Sequence, residues 1–226
     1  MKMSASVTVN NNTELNLKIN EIFYSLQGET SSTGYPTVFI RLTGCPLRCT
    51  YCDTSYAFSK GEMLSVTEIL RKVGKYSPSY ITVTGGEPLA QKNCLKLLNM
   101  LCDKYQDVSL ETSGAMSIEK VDTRVRKIID IKTPGSGEAH RNLISNLKLV
   151  KKTDEIKFVI CNHADFIWAS NFVEEHKLIN TCDVIFSPSH NELQIKELAE
   201  WVLQANMKIR VQTQLHKIIW GDEPGK

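Results

Sequence analysis

The stretch Thr43-Gly44-Cys45-Pro46-Leu47-Arg48-Cys49-Thr50-Tyr51-Cys52 places three cysteines in the spacing C-x3-C-x2-C. Three thiolates on one short loop can wrap a single soft metal centre. A structural zinc site takes four protein ligands. No fourth Cys or His lies close by, since Cys94 and His140 are far along the chain. A [4Fe–4S] cluster also commonly has four thiolate ligands. Three would leave one iron open to a small molecule. Zinc with a distant fourth ligand and plain core thiols are the competing readings.

Outward from this loop, strand-like runs alternate with helical patterns. Lys18–Leu26 and Thr37–Thr43 precede or enter the loop as strands. Ser65-x-x-Glu68 is a capping box opening a helix to about Lys75. Tyr80–Thr84 is a β-branched strand, and Leu89–Tyr105 carries a helical apolar stripe. Strands follow at Val108–Glu111, Lys127–Ile131, Glu155–Cys161, Val184–Phe186 and Lys208–Gln212. Helices are expected over Arg141–Val150 and Ala164–His176, and from a Ser189-x-x-Glu192 cap to about Asn206. Repeated strand-then-helix order means a parallel sheet with crossover helices. An open doubly wound sheet competes with a complete or partial β/α barrel. No Gly-x-Gly-x-x-Gly follows the first strand, which weakens the former. Several strands end in polar or Gly-containing strings, among them Thr84-Gly85-Gly86-Glu87-Pro88 and Ser187-Pro188-Ser189. In β/α folds such ends form the active site.

Composition narrows the class. The chain has 226 residues, 42% hydrophobic and 23% charged, with net charge +2. That excludes disorder and gives no electrostatic footprint for nucleic acid or an anionic membrane. No apolar run is long enough to span a bilayer. Met1–Asn20 shows no signal-peptide core, so the expected location is cytoplasmic. Seven cysteines, an odd number without an export signal, argue against a disulfide framework. Cys94, Cys102, Cys161 and Cys182 are expected to be small buried hydrophobes. No boundary divides the chain, which is read as one domain over residues 1–226.

The cysteine triplet after a strand, together with Gly85-Gly86-Glu87-Pro88, resembles the radical S-adenosylmethionine superfamily. A closer resemblance rests on strings that occur in order: Ser25-Leu26-Gln27-Gly28-Glu29, Phe39-Ile40-Arg41-Leu42, Cys52-Asp53-Thr54-Ser55-Tyr56-Ala57, Leu110-Glu111-Thr112-Ser113-Gly114, Asp130-Ile131-Lys132 and Gln214-Leu215-His216-Lys217. Together they resemble the 7-carboxy-7-deazaguanine synthases, from about Ile19 to Trp220. Residues 1–18 match nothing and are a candidate N-terminal extension.

The resemblance implies an α/β fold, an incomplete (β/α) barrel of about six parallel strands. It implies conversion of 6-carboxy-5,6,7,8-tetrahydropterin to 7-carboxy-7-deazaguanine with loss of ammonia, in queuosine or 7-deazapurine biosynthesis. The implied cofactors are a [4Fe–4S] cluster, S-adenosyl-L-methionine and Mg²⁺; the implied partners are a second copy in a homodimer and flavodoxin or ferredoxin as electron donor. By the same resemblance Cys45, Cys49 and Cys52 hold the cluster and Thr54 holds Mg²⁺. Tyr51, Cys52, Asp53, Gly86, Glu87, Ser113, Lys132, Thr133 and Pro134 bind S-adenosylmethionine. Leu26, Gln27, Gly28, Glu29, Arg41, Thr84 and His216 bind the pterin. An Arg in an apolar strand is often a paired structural residue, but its planar fork also suits a carboxylate substrate. His140, His163, His176 and His190 are expected at the surface or at helix ends. A glycyl-radical activating enzyme, with a protein substrate, and a zinc-stabilised binding module remain as alternatives.

Overall fold

The computed structural model describes residues 15–190, 192–221, 223 and 225. Nine strands form one sheet in the order β3-β1-β2-β4-β5-β6-β7-β8-β9. β1 (Asn16–Leu26) lies antiparallel between β2 (Pro36–Leu42) and β3 (Glu62–Ser65). From β2 onward the pairing is parallel, through β4 (Tyr80–Gly85), β5 (Asp107–Thr112), β6 (Arg126–Asp130), β7 (Glu155–Ile160), β8 (Asp183–Pro188) and β9 (Arg210–Val211). The helices are α1 (Val66–Gly74), α2 (Cys94–Cys102), α3 (His163–Glu175), α4 (Ile195–Ala205) and α5 (Leu215–Trp220). None of them is long and apolar enough to cross a membrane.

Alternation along each strand sorts the residues by face. Val38, Ile40 and Leu42 on β2, Ile81 and Val83 on β4, and Ile156, Phe158 and Ile160 on β7 belong to one buried core. Ile69 and Val73 of α1, Leu97, Leu98 and Leu101 of α2, and Leu198 and Val202 of α4 join it. Burying each such side chain stabilises the fold by about 1.5–3 kcal/mol. The residues of opposite parity, Thr84, Glu111, Asp130, Lys157 and Ser187, instead line a cavity. Helices therefore cover one face while the other encloses a polar lumen, which separates this sheet from a doubly wound one. β3 and β9 are its two edge strands.

Several local expectations change. Ser65 caps α1 reciprocally with Glu68, as its spacing predicts. The helix expected over Leu89–Tyr105 is shorter, because Gln91 is extended and its side chain bonds the backbone of Lys18 and Thr43. Arg141–Val150 is not an α-helix but two 3-10 turns, Ala139–Arg141 and Ile144–Leu149. Asn146 within it is turned inward, bonding Gly114 O, Met116 O and Ile118 N. Ser189 does not cap α4: its own N–H bonds Ile160 O, and the helix starts at Ile195. Of the candidate extension, residues 1–14 lie outside the described residues, whereas Asn16–Lys18 are in β1 and Leu17 is fully buried.

Candidate active site

The cysteine loop leaves the end of β2 and is clasped from two sides. On one side Gly86 N donates to Leu42 O at 3.2 Å, and Glu87 N donates to Gly44 O at 2.8 Å. Gly86 must be glycine, since a Cβ there would lie 2.3 Å from the Gly44 oxygen. On the other side Thr50 N donates to Ser136 O at 3.1 Å and Thr50 Oγ1 to Gly135 O at 2.8 Å. Arg48 N reaches Glu138 Oε1 at 2.6 Å, and the Arg48 guanidinium lies 4.4 Å from the Phe58 ring centre.

Within the loop, Cys45, Cys49 and Cys52 are half-buried and line one wall of a cavity of about 190 Å³. Burial pushes the Cys49 thiol up to about 11 and raises Cys45 and Cys52 as well. These thiols keep their protons at neutral pH until a metal displaces them. Among the described residues no three His, Cys, Asp or Glu side chains converge on one ion position.

The facing walls are polar. Asp130 Oδ2 pairs with the buried Lys132 Nζ at 3.0 Å, and that ammonium lies 5.6 Å from the Tyr51 ring centre. Burial would lower the Lys132 pKa, but its neighbours, the Asp130 carboxylate foremost, outweigh it and raise it. Tyr51 Oη, Asp130 Oδ1, Ser187 Oγ and Ser189 Oγ are buried without a hydrogen-bond partner. All four residues line the cavity. Buried polar atoms are rarely left orphaned. Four of them around one cavity, together with three thiols, fit a polar cofactor.

The loop after β1 reaches into the lumen from the opposite end, because β1 runs antiparallel to β2. It ties both halves of the sheet together. Gln27 Nε2 bonds Thr82 Oγ1 and Glu111 Oε1, each at 3.2 Å, on β4 and β5. Glu29 pairs with Lys157 and Ser31 with Glu155, both on β7. Thr30 N donates to Gln212 Oε1 at 2.6 Å, beyond β9. Leu215 N bonds Gly28 O at 3.0 Å, and a Cβ on Gly28 would strike His216 Nδ1. Burial would raise Glu29, but the Lys157 charge and hydrogen bond hold its pKa below the ordinary value. Burial and the Glu29 charge push Glu111 the other way, above its ordinary range.

Of the candidate residues, Glu29, Cys45, Cys49, Tyr51, Cys52, Asp53, Thr54, Thr84, Gly86, Ser113 and Lys132 are brought to this one cavity. Thr54 Oγ1 donates to Asp53 Oδ1 at 2.7 Å, and Gln214 Nε2 to Asp53 Oδ2 at 3.0 Å. Surrounding protein would raise Asp53; those two bonds and Lys157 lower it instead, though its side chain opens to solvent at the mouth.

Others are placed elsewhere. Glu87 is fully buried and turned from the lumen, accepting from Leu89 N, Thr112 Oγ1 and both Ser113 N and Oγ. Thr133 is enclosed and bonded to Val159 O and Asp165, while Pro134 is exposed. Gln27 is committed to its internal bonds, Leu26 ends β1, and Arg41 Nε is paired with Glu21 at 2.6 Å. His216 packs on Gly28, and burial lowers its pKa. His190 is exposed, as expected, and also borders the cavity. Sequence reasoning put Glu111, Ser187 and Ser189 in strand-end strings without giving them a role, and missed Asp130, Lys157 and Gln214 as site residues. The available signal was parity: polar side chains at alternate positions of otherwise apolar parallel strands.

Residues 39–131 match the Radical SAM superfamily. A 7-carboxy-7-deazaguanine synthase of Chlorobaculum tepidum is 42% identical over 93% of this chain and 97% of its own. Another from Koribacter versatilis is 40% identical over 92% and 98%. The crystal structure of QueE from Escherichia coli superposes with a TM-score of 0.74 at 23% identity, over 93% of this chain and all of that one, and so shares the fold. On the identity and coverage of these relatives, the chain belongs to the 7-carboxy-7-deazaguanine synthase family.

Proposed function

We propose that the chain is a radical S-adenosylmethionine enzyme that converts 6-carboxy-5,6,7,8-tetrahydropterin to 7-carboxy-7-deazaguanine, releasing ammonia, in 7-deazapurine biosynthesis. The observation that carries this reading is the cavity with three half-buried thiols on one wall and four orphaned polar atoms on the others. Cys45, Cys49 and Cys52 would hold a [4Fe–4S] cluster. Together with S-adenosylmethionine, that group would supply the hydrogen-abstracting radical chemistry.

The chain's own residues then have distinct tasks. Gly86 and Ser113 border the cysteine wall and would bind the methionine end; Glu87 fixes Ser113 from behind by accepting its N–H and O–H. Tyr51, Asp130 and Lys132 offer a hydroxyl, a free carboxylate oxygen and an ammonium to the rest of the cofactor. Glu29, Thr84, Glu111 and Lys157, at the lumen's inner end, bind the pterin edge. The Arg41 guanidinium attaches to Glu21 through Nε, which leaves its terminal nitrogens for the substrate carboxylate. Thr54 gives its proton to Asp53, which leaves its oxygen lone pairs to accept Mg²⁺. A homodimer and a flavodoxin- or ferredoxin-type donor complete the proposal.

The test is anaerobic reconstitution, then turnover with the carboxypterin and mass spectrometry of the product. A deazaguanine carboxylate formed with four irons per chain supports the reading. Zinc-rich, colourless protein, or cofactor cleavage that needs a protein substrate instead, would sink it. Thr54→Ala is expected to lose Mg²⁺ stimulation while keeping iron; stimulation unchanged in that variant removes Thr54 as the ligand.

A further inference from the structure

Asp165 stands outside the cavity and belongs to no motif. It lies in the first turn of α3, 1% exposed, and among the described residues no Lys, Arg or His pairs with it. A buried carboxylate without a cation is costly unless N–H and O–H donors replace water. Here Gly135 N donates to Oδ1 at 2.8 Å, while Thr133 Oγ1 at 3.0 Å and Cys161 N at 3.2 Å donate to Oδ2. The start of α3, a 13-residue helix, adds its own favourable dipole.

Those bonds continue to the cysteines. Gly135 is pressed against Asp165, with a Cβ there falling 2.4 Å from Oδ2. The Gly135 and Ser136 carbonyls in turn receive Thr50, the residue between Cys49 and Tyr51. Ser136 Oγ bonds back to Thr133 O at 2.6 Å, which stiffens the turn that presents them. Helix α3 thereby holds the back of the cysteine loop through one rigid turn.

We infer that Asp165 is a positioning residue for the cysteine loop, fixing the thiols through Gly135, Ser136 and Thr50 so that a bound iron–sulfur cluster is retained. This rests on the reading of Cys45, Cys49 and Cys52 as cluster ligands. Partners that orient ligands from behind typically change metal affinity by about 10–100-fold.

The experiment follows iron release to a chelator from the anaerobically reconstituted protein, with melting temperature measured alongside. Asp165→Asn puts an N–H₂ where an acceptor is needed and is expected to release iron about 10-fold faster. Thr50→Val removes only the hydroxyl link to Gly135 and is expected to speed release without lowering the melting temperature. Asn162→Ala removes the α3 cap, whose Oδ1 accepts from Asp165 N at 3.0 Å. It should lower the melting temperature yet leave iron release unchanged. Asp165→Asn and Thr50→Val proteins that hold iron as the wild type does overturn the inference, as does Asn162→Ala releasing iron as fast as Asp165→Asn. A wild type that takes up no iron overturns the cluster reading itself.

Discussion

The carbonyl oxygen of Gly44 occupies the place where a side chain on Gly86 would begin, 2.3 Å from an ideal Cβ. That oxygen cannot retreat freely, because it accepts the Glu87 N–H at 2.8 Å. Gly86→Ala must therefore separate the two loops. We expect a loss of about 2 kcal/mol or more in stability and loss of S-adenosylmethionine cleavage. A Gly86→Ala protein melting with the wild type, in calorimetry of both, would refute the close contact.

Glu29 and Lys157 form an enclosed ion pair, each side chain 13% exposed. Removing one partner strands the other charge. Lys157→Met should cost about 3–5 kcal/mol, whereas the double change Glu29→Gln with Lys157→Met should cost less than that single change. Chemical denaturation of the three proteins measures this. A double variant less stable than Lys157→Met would show that the pair is not coupled as the geometry requires.

Much of this arrangement was legible before any coordinates. The Ser65 and Glu68 spacing specifies the start of α1 because a capping box is a local device whose partners lie three residues apart. The cysteine triplet and the Gly85-Gly86 turn are likewise local. The errors arise where distant residues decide. Ile144–Leu149 follows a helical pattern, yet the inward bonds of Asn146 to Gly114 and Met116 set its shape. Glu62–Ser65 carries no strand signal of its own and becomes β3 only by pairing with β1. Arg41 could be placed in a strand, but its Glu21 partner arises from the register of β1 on β2. Gln214 meets Asp53 across 161 positions, a distance no motif spans.

Glu111 should give the protein a pH dependence of known sign. Burial and Glu29 raise its pKa above the ordinary 4.5. The unfolded chain then loses this proton at lower pH than the folded one. Its contribution to stability falls as pH climbs from the ordinary value to the raised one. Glu111→Gln should therefore gain stability over wild type at pH 8 and little at pH 4. Thermal melts at both values test this, and an equal difference at the two would contradict it.

Arg41→Lys keeps a cation beside Glu21 but loses the planar fork. If the terminal nitrogens take the substrate carboxylate, KM for the carboxypterin should rise about 10-fold or more, while cofactor cleavage without substrate survives. Unchanged KM with a lowered melting temperature would make Arg41 purely a partner of Glu21.

The bonds from Thr30 to Gln212 and from Gly28 to Leu215 join the loop after β1 to the segment after β9, the former across 182 positions. That fixes an order of events during synthesis. The cysteine loop, the Gly85-Gly86 turn and strands β2 to β8 can all assemble while the ribosome is still working. The loop holding Gln27 and Glu29 has no anchor beyond β9 until residues 212–215 emerge. A nascent chain thus shapes its cysteine wall early and completes the anchoring of the Gln27–Glu29 loop late, and contacts of such long separation form slowly.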